Sequence, residues 1–280
     1  MGDGEEGGGL FSGDAWSSFS RARFQYTWLP GGSNPNSLDI NDVDLSLPIQ
    51  IPDFLGSSQP WYLIPTFGLH LWDGPAGPAD LPERAYSAVL DTYFRSDVSQ
   101  RLGVELGVGV GIYTDFNTLT FHSLRVTGKG LVHLRLTPDT VIKGGVWYLG
   151  RNHIRMLPAV GIVWTPNPQT RWDIFFPEPR LSQYFTTVNE MDVWWYLGGE
   201  YGGDAWTIER ESGFSDQIDI NDIRLSVGLE WGSPKSMETG IRQGFVETGL
   251  VFDREIRYST TPAENFSPKS TIFLRFGIGY

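Results

Sequence analysis

The chain of 280 residues contains no cysteine, which removes disulfides, thiolate catalysis and cysteine-held zinc or iron–sulfur sites. That absence also suits passage through an oxidising compartment. No run approaches the roughly 18–20 apolar residues that a membrane helix needs, so a helical membrane protein is excluded. Positive charge is scarce: 21 Lys and Arg stand against 33 Asp and Glu. The resulting net charge of −12 argues against nucleic acid, whose phosphates call for basic patches. Neither a GxSxG elbow nor an HExxH zinc motif occurs. No signal peptide is legible, since Met1 leads into the acidic, glycine-rich run Gly2 to Gly9; an exported protein of this sequence is expected in mature form.

Aromatic residues, by contrast, are plentiful. Eleven Trp and eleven Tyr accompany an ordinary hydrophobic fraction of 40%. A barrel in a membrane gives that combination, because only alternate strand residues face lipid. From about Ser18 the chain alternates in segments of some ten residues. The clearest places Leu102, Val104, Leu106, Val108, Val110 and Ile112 on one parity and Gly103, Glu105, Gly107, Gly109 and Gly111 on the other. Strict period two is the mark of a strand with one apolar face. About eleven residues at about 3.3 Å each, tilted near 45°, cover roughly 25 Å of bilayer.

The same parity recurs from Phe24, Tyr26 and Trp28 to Ile272, Leu274, Phe276 and Ile278. Short turns (Arg95–Gln100, Thr137–Asp139, Thr165–Thr170, Gly202–Asp204, Gly232–Ser236) alternate with longer loops, Pro177–Asn189 among them. The expectation is all-β: a closed antiparallel up-and-down transmembrane β-barrel of even strand number, about 14, or 12 if the shorter segments do not span. Residues 1–17 are expected to form a flexible acidic, glycine-rich segment and residues 18–280 the barrel. Both termini are then periplasmic and the protein integral to a bacterial outer membrane. A soluble β-sandwich binding module is the competing architecture; it predicts that the apolar parities meet in a core.

Phe94, Trp164, Trp172, Tyr201, Trp206 and Trp231 fall at predicted strand ends with lipid-facing parity and are assigned to an aromatic belt. The last strand ends on Phe276, Ile278 and Tyr280, which resembles the C-terminal assembly signal of outer-membrane barrels. Barrel-insertion machinery, membrane lipids and lipopolysaccharide are therefore the expected partners. Three further runs, Trp172 to Arg180, Trp194 to Glu200 and Gly202 to Arg210, resemble a domain-of-unknown-function family of predicted outer-membrane barrels. The resemblance covers roughly the C-terminal half and implies fold and location only.

The opposite parity should line the lumen. Its basic candidates are Arg125, Lys129, His133, Arg135, Lys143, Arg224 and Arg275; its acidic ones are Asp91, Glu105, Glu200, Glu230 and Glu247. Near the bilayer midplane Arg or Lys on the lipid face costs about 2–4 kcal/mol, so charge belongs inside. The concentration of cations around Lys129 predicts either an anion-selecting stripe or a network of interior ion pairs. No cofactor is expected. An internal echo, Asp39-Ile-Asn-Asp-Val-Asp-Leu-Ser-Leu47 against Asp219-Ile-Asn-Asp-Ile-Arg-Leu-Ser-Val227, makes Asp39, Asn41 and Asp44 weak metal candidates. Capping of a turn by Asp and Asn is the alternative reading.

A lipase-like Ser–His pair on one strand needs even spacing. His122 and Ser123 are adjacent, and two positions beyond His70, His133 and His153 stand Trp72, Arg135 and Arg155. A loop site joining Asp73, Asp80 or Asp115 to His153 is not demanded by any spacing. The functional expectation is a passive pore for small polar solutes or a structural membrane protein. The alternative is a barrel hydrolase of lipase or protease type.

Overall fold

Alternation of apolar and polar residues folds here into strands throughout, as the computed structural model of residues 22–32, 37–52, 59–75 and 80–280 shows. The expected segment 1–17 lies outside the described residues. The first strands are β1 (Arg23–Leu29), β2 (Asp39–Ser46), β3 (Ile49–Ile51), β4 (Trp61–Asp73), β5 (Arg84–Asp97), β6 (Leu102–Thr114), β7 (Leu124–Thr137) and β8 (Thr140–Tyr148). There follow β9 (Met156–Asn167), β10 (Thr170–Phe176), β11 (Arg180–Val188), β12 (Met191–Glu209), β13 (Ser215–Gly232), β14 (Gly244–Tyr258) and β15 (Thr271–Ile278).

Successive strands pair antiparallel; β15 closes on β1 and β2 on β4. The three-residue β3 continues β2 beyond Leu47 and Pro48 and adds no position to the ring, leaving a closed 14-strand barrel. Closure leaves no free edge around the wall, the condition for strands to cross a membrane. Phe24 pairs with Ile278, so β1 begins and β15 ends at one rim, here called the lower rim.

The apolar parity faces outward. Leu225, Val227, Leu250, Ile272 and Leu274 are all at least 40% exposed on the barrel exterior, whereas a β-sandwich would bury them. These strands span a membrane.

The count of 14 survives two local departures from expectation. Arg180–Val188, expected as loop, is β11; its outward face carries Gln183, and a bulge between Tyr184 and Thr186 breaks the period that would have revealed it. Gly202–Asp204, expected as a turn, lies inside β12, which runs unbroken for 19 residues. Gly203 adopts φ +85° there, and a Cβ at this position would fall 1.9 Å from the Ile220 carbonyl oxygen. Two glycines that read as a turn instead permit a sharp bend within a strand. Loop sorting is likewise incomplete. The upper-rim link 177–179 is short, and the lower-rim link 233–243 is long enough to hold α1 (Pro234–Glu238).

The bend matters because β11 leaves β12 at Gly198 while β12 and β13 remain paired as far as Glu209 and Ser215. This upper hairpin leans across the mouth until Thr207 meets Thr114 of β6, six strands away around the ring. Asp115 N–H donates to the Thr207 carbonyl at 3.3 Å, and Glu209 N–H to Asp115 Oδ2 at 2.8 Å. Beneath the hairpin lies an apolar core inside the barrel. Trp206, Ile208, Ile218 and Ile220 of the hairpin pack with Leu29, Leu38, Ile40, Trp72, Tyr113, Ile256, Tyr258 and Phe273 from the wall.

Candidate functional site: the lumen

Below this seal the inward positions change character at one level. Into and along β2 they run Leu38, just before the strand, and Ile40, then Asp42 and Asp44; along β13, Ile218 and Ile220, then Asp222 and Arg224; along β15, Phe273, then Arg275. The charged level lines a cavity of about 790 Å³. From below, the 233–243 link reaches up into it: Met237, Gly240, Ile241 and Arg242 line the floor. Burial, with Arg180 close by, brings the Arg242 guanidinium down to about 10.

The wall β10–β15 carries one connected network. Arg275 donates to Glu200 Oε1 at 2.6 Å, to Glu247 Oε1 at 2.9 Å and to Thr27 Oγ1 at 3.1 Å. Arg224 is held by Asp222 at 2.7 Å and Glu200 at 3.1 Å. The Tyr196 hydroxyl donates to Glu247 at 2.7 Å, and Ser182 to Glu230 at 2.8 Å. Arg180 pairs with Glu230 at 3.2 Å and lies over the Tyr196 ring. Arginine's planar fork suits such shared bidentate roles. On the facing wall the cavity is lined by Asp42, Asp44, His70, Ser87 and Asp91, and among the described residues none of the arginines that line it comes from β1–β8.

The expected lumen residues all turn inward, but they separate into two sets. Asp91, Glu200, Arg224, Glu230, Glu247 and Arg275 reach the cavity. Glu105, Arg125, Lys129, His133, Arg135 and Lys143 lie outside its lining. Glu105 takes Lys129 at 2.9 Å, Arg95 at 2.8 Å and His133 at 3.2 Å; Lys143 meets Asp173 at 3.2 Å; Arg125 donates to the Gly150 carbonyl at 2.9 Å. Within the expected cationic stripe, Lys129 and His133 thus meet Glu105 and Arg125 meets a backbone carbonyl.

Of the belt residues, Trp164 and Trp172 meet edge to face at 5.1 Å, and Phe94 stacks on Trp61 at 5.0 Å, both near the lower rim. Trp231 lies at the lower end of β13. Trp206 and Tyr201 belong elsewhere. Because β12 continues through Gly203, Trp206 sits 4% exposed in the apolar seal and Tyr201 lies beneath Arg151 near the upper rim. Phe276 and Ile278 face outward, but Gly279 at φ +85° turns Tyr280 inward, where its hydroxyl donates to Gln25 Oε1 at 3.1 Å.

Asp39, Asn41 and Asp44 do not converge. Asp39 accepts from Trp28, Gly31 and Asn41 at 2.6–3.3 Å; Asn41 accepts from Tyr26; and Asp44 points into the cavity. Among the described residues no carboxylate–histidine group is arranged to hold a metal. The echo has another meaning. Ile40 and Ile220 both close the seal, Asp42 and Asp222 both open the charged level, and Asp39 and Asp219 both anchor a rim loop. Asp219 receives Asn152 and His153 at 2.7–3.2 Å, which also occupies the His153 ring.

A clamp holds the lid. The Arg210 side chain, 3% exposed, contacts Asp80, Asp216, Thr261 and Glu264 from three rim segments and lies over Tyr258. The hydrogen bond from Arg210, with one from Thr261, holds the Glu264 carboxyl below its usual range.

No family model matches the chain, and no curated protein does. Several solved structures are similar to it at low identity. A bacterial polysaccharide outer membrane secretin aligns over 93% of this chain and 98% of its own, at 11% identity and TM-score 0.40. LpxR from Salmonella typhimurium aligns over 92% and 100%, at 9% and 0.37. A KdgM porin aligns over 92% and 98%, at 6% and 0.36.

Proposed function

We propose that the chain is an integral outer-membrane protein, termini on the periplasmic side, that forms a narrow gated pore for small polar solutes. The observation that carries this is the 790 Å³ cavity lined by charge of both signs, lying directly beneath an apolar lid. A charged cavity left unfilled beneath a hairpin that is held at its tip by side-chain contacts supports a closed pore over a filled structural shell. The lid is attached to the wall along β13 and held at its tip by Arg210, so its release would open the lumen without breaking the ring. The facing wall of Asp42, Asp44 and Asp91 gives the pore a weak preference for cations. Phe276 and Ile278 would present the assembly signal, and lipopolysaccharide would surround the upper rim.

Reconstitution into planar bilayers tests the reading. The wild-type chain should show rare, short, mildly cation-selective openings, and Arg210→Ala should lengthen them at least tenfold. Silence from both proteins would reject the pore and favour a structural role, to which the apolar seal itself points.

A further inference from the structure

Strands β2, β4 and β5 bring Asp42, His70 and Ser87 together on their inner faces. Asp42 lies directly across from His70, and Ser87 across from Gly68, one inward position along β4. Asp42 Oδ1 is 2.8 Å from His70 Nδ1, and Ser87 Oγ is 3.1 Å from His70 Nε2. The two ring nitrogens therefore have different partners. A carboxylate at Nδ1 fixes the proton there and leaves Nε2 to accept from the serine hydroxyl. All three residues line the cavity.

Gly68 is what makes the approach possible. A Cβ at that position would stand 2.3 Å from Ser87 Oγ, 2.8 Å from His70 Nε2 and 2.9 Å from Asp44 Oδ1. Against the other side of His70 lies Trp206, its ring 4.9 Å away. Trp206 Nε1 is buried and makes no hydrogen bond, so an N–H donor remains unused beside the cavity.

We infer that Ser87 is a nucleophile activated by His70, with Asp42 as the positioning residue, and that the lumen hydrolyses short-chain acyl esters of small polar alcohols. Ser87 Oγ attacks the ester carbonyl as its proton passes to His70 Nε2. The tetrahedral adduct expels the alcohol, which takes that proton, and leaves acyl-Ser87. Water then attacks the acyl group, giving its proton to His70; collapse releases the carboxylic acid and returns the proton to Ser87. Ester and water become acid and alcohol. Thr66, Asp44, Asp91 and Thr127 line the cavity nearby, which provides no trough for a long acyl chain and disfavours anionic esters.

The test is covalent labelling of the full chain, refolded in detergent, by a small uncharged fluorophosphonate, read by peptide mass. Ser87 should be labelled, with Ser87→Ala reduced to background. His70→Gln should slow labelling by about a hundredfold, the scale of a lost general base. Gly68→Ala should do the same while retaining every reacting group. Asp42→Asn should slow it and Asp42→Glu restore much of the rate. Each variant is accepted only if it keeps the heat-modifiable gel mobility of a folded barrel. The series is repeated with Arg210→Ala, so that a closed lid is not mistaken for an inert serine. Absence of Ser87 labelling in both backgrounds, or labelling of folded His70→Gln at the wild-type rate, overturns the proposal.

Discussion

The upper and middle levels of this barrel share strands, alternation and parity, yet one is an apolar core and the other a charged network around a cavity. Ile40 and Asp42 are two residues apart on one face of β2, and Ile220 and Asp222 repeat the change on β13. Parity thus decides only which residues turn inward. What the interior becomes at each level depends on the side chains placed there and on whether backbone from the mouth folds in to cover them. The seal excludes water by burying Trp206, Ile208 and Ile218 at 4% exposure or less. The network below needs no such exclusion, because Arg275 and Arg224 each meet more than one carboxylate.

That contrast can be broken at either level. Trp206→Ala empties the centre of the seal and should cost about 4 kcal/mol, as large aromatic truncations in a core do. Urea unfolding from lipid vesicles would show it, with a raised open probability in bilayers. Arg275→Met leaves Glu200 and Glu247 without a shared partner and should cost about 3 kcal/mol by the same assay. It should not open the lid, since Arg275 lies below the seal. Gly203→Val forces a branched residue into positive φ against the Ile220 carbonyl and should cost about 2 kcal/mol. Its distinguishing effect is faster proteolysis of the β12–β13 hairpin in otherwise folded barrels.

Acid provides the gentlest perturbation. Glu264 is depressed in the folded protein, so its contribution to the clamp is complete above its unfolded value of 4.5. It is lost as pH falls through the lower folded value. Open probability should therefore rise below pH 4.5, modestly and less at high salt, and Glu264→Gln should remove that acid-induced step.

Much of the wall was legible from the sequence because period two is a local signal that survives any tertiary arrangement. Arg101 to Ile112 needed no partner to be read as a strand. The lid was not legible, because Gly202 and Gly203 carry the same turn signal whether the chain reverses there or merely bends. The strand count was right because β11 was hidden by outward Gln183 while β12 was divided in two at those glycines. The lumen charges share the parity opposite the exposed apolar residues, but their pairings depend on register between strands, which parity does not supply. The same blindness hid His70 and Ser87: they are 17 residues apart on neighbouring strands, and a search along single strands passes over them.

Cysteine-free as it is, the chain admits single nitroxide labels at chosen positions, and one scan along β13 in liposomes tests the two-level interior directly. Oxygen, which concentrates in lipid, should relax labels at Leu225, Val227 and Leu229. A water-soluble nickel chelate should relax labels at Ser226 and Gly228, and neither reagent should reach Ile218 or Ile220. Nickel access at Ile220 equal to that at Ser226 would mean that no seal exists, and the account of a lidded polar lumen would be wrong.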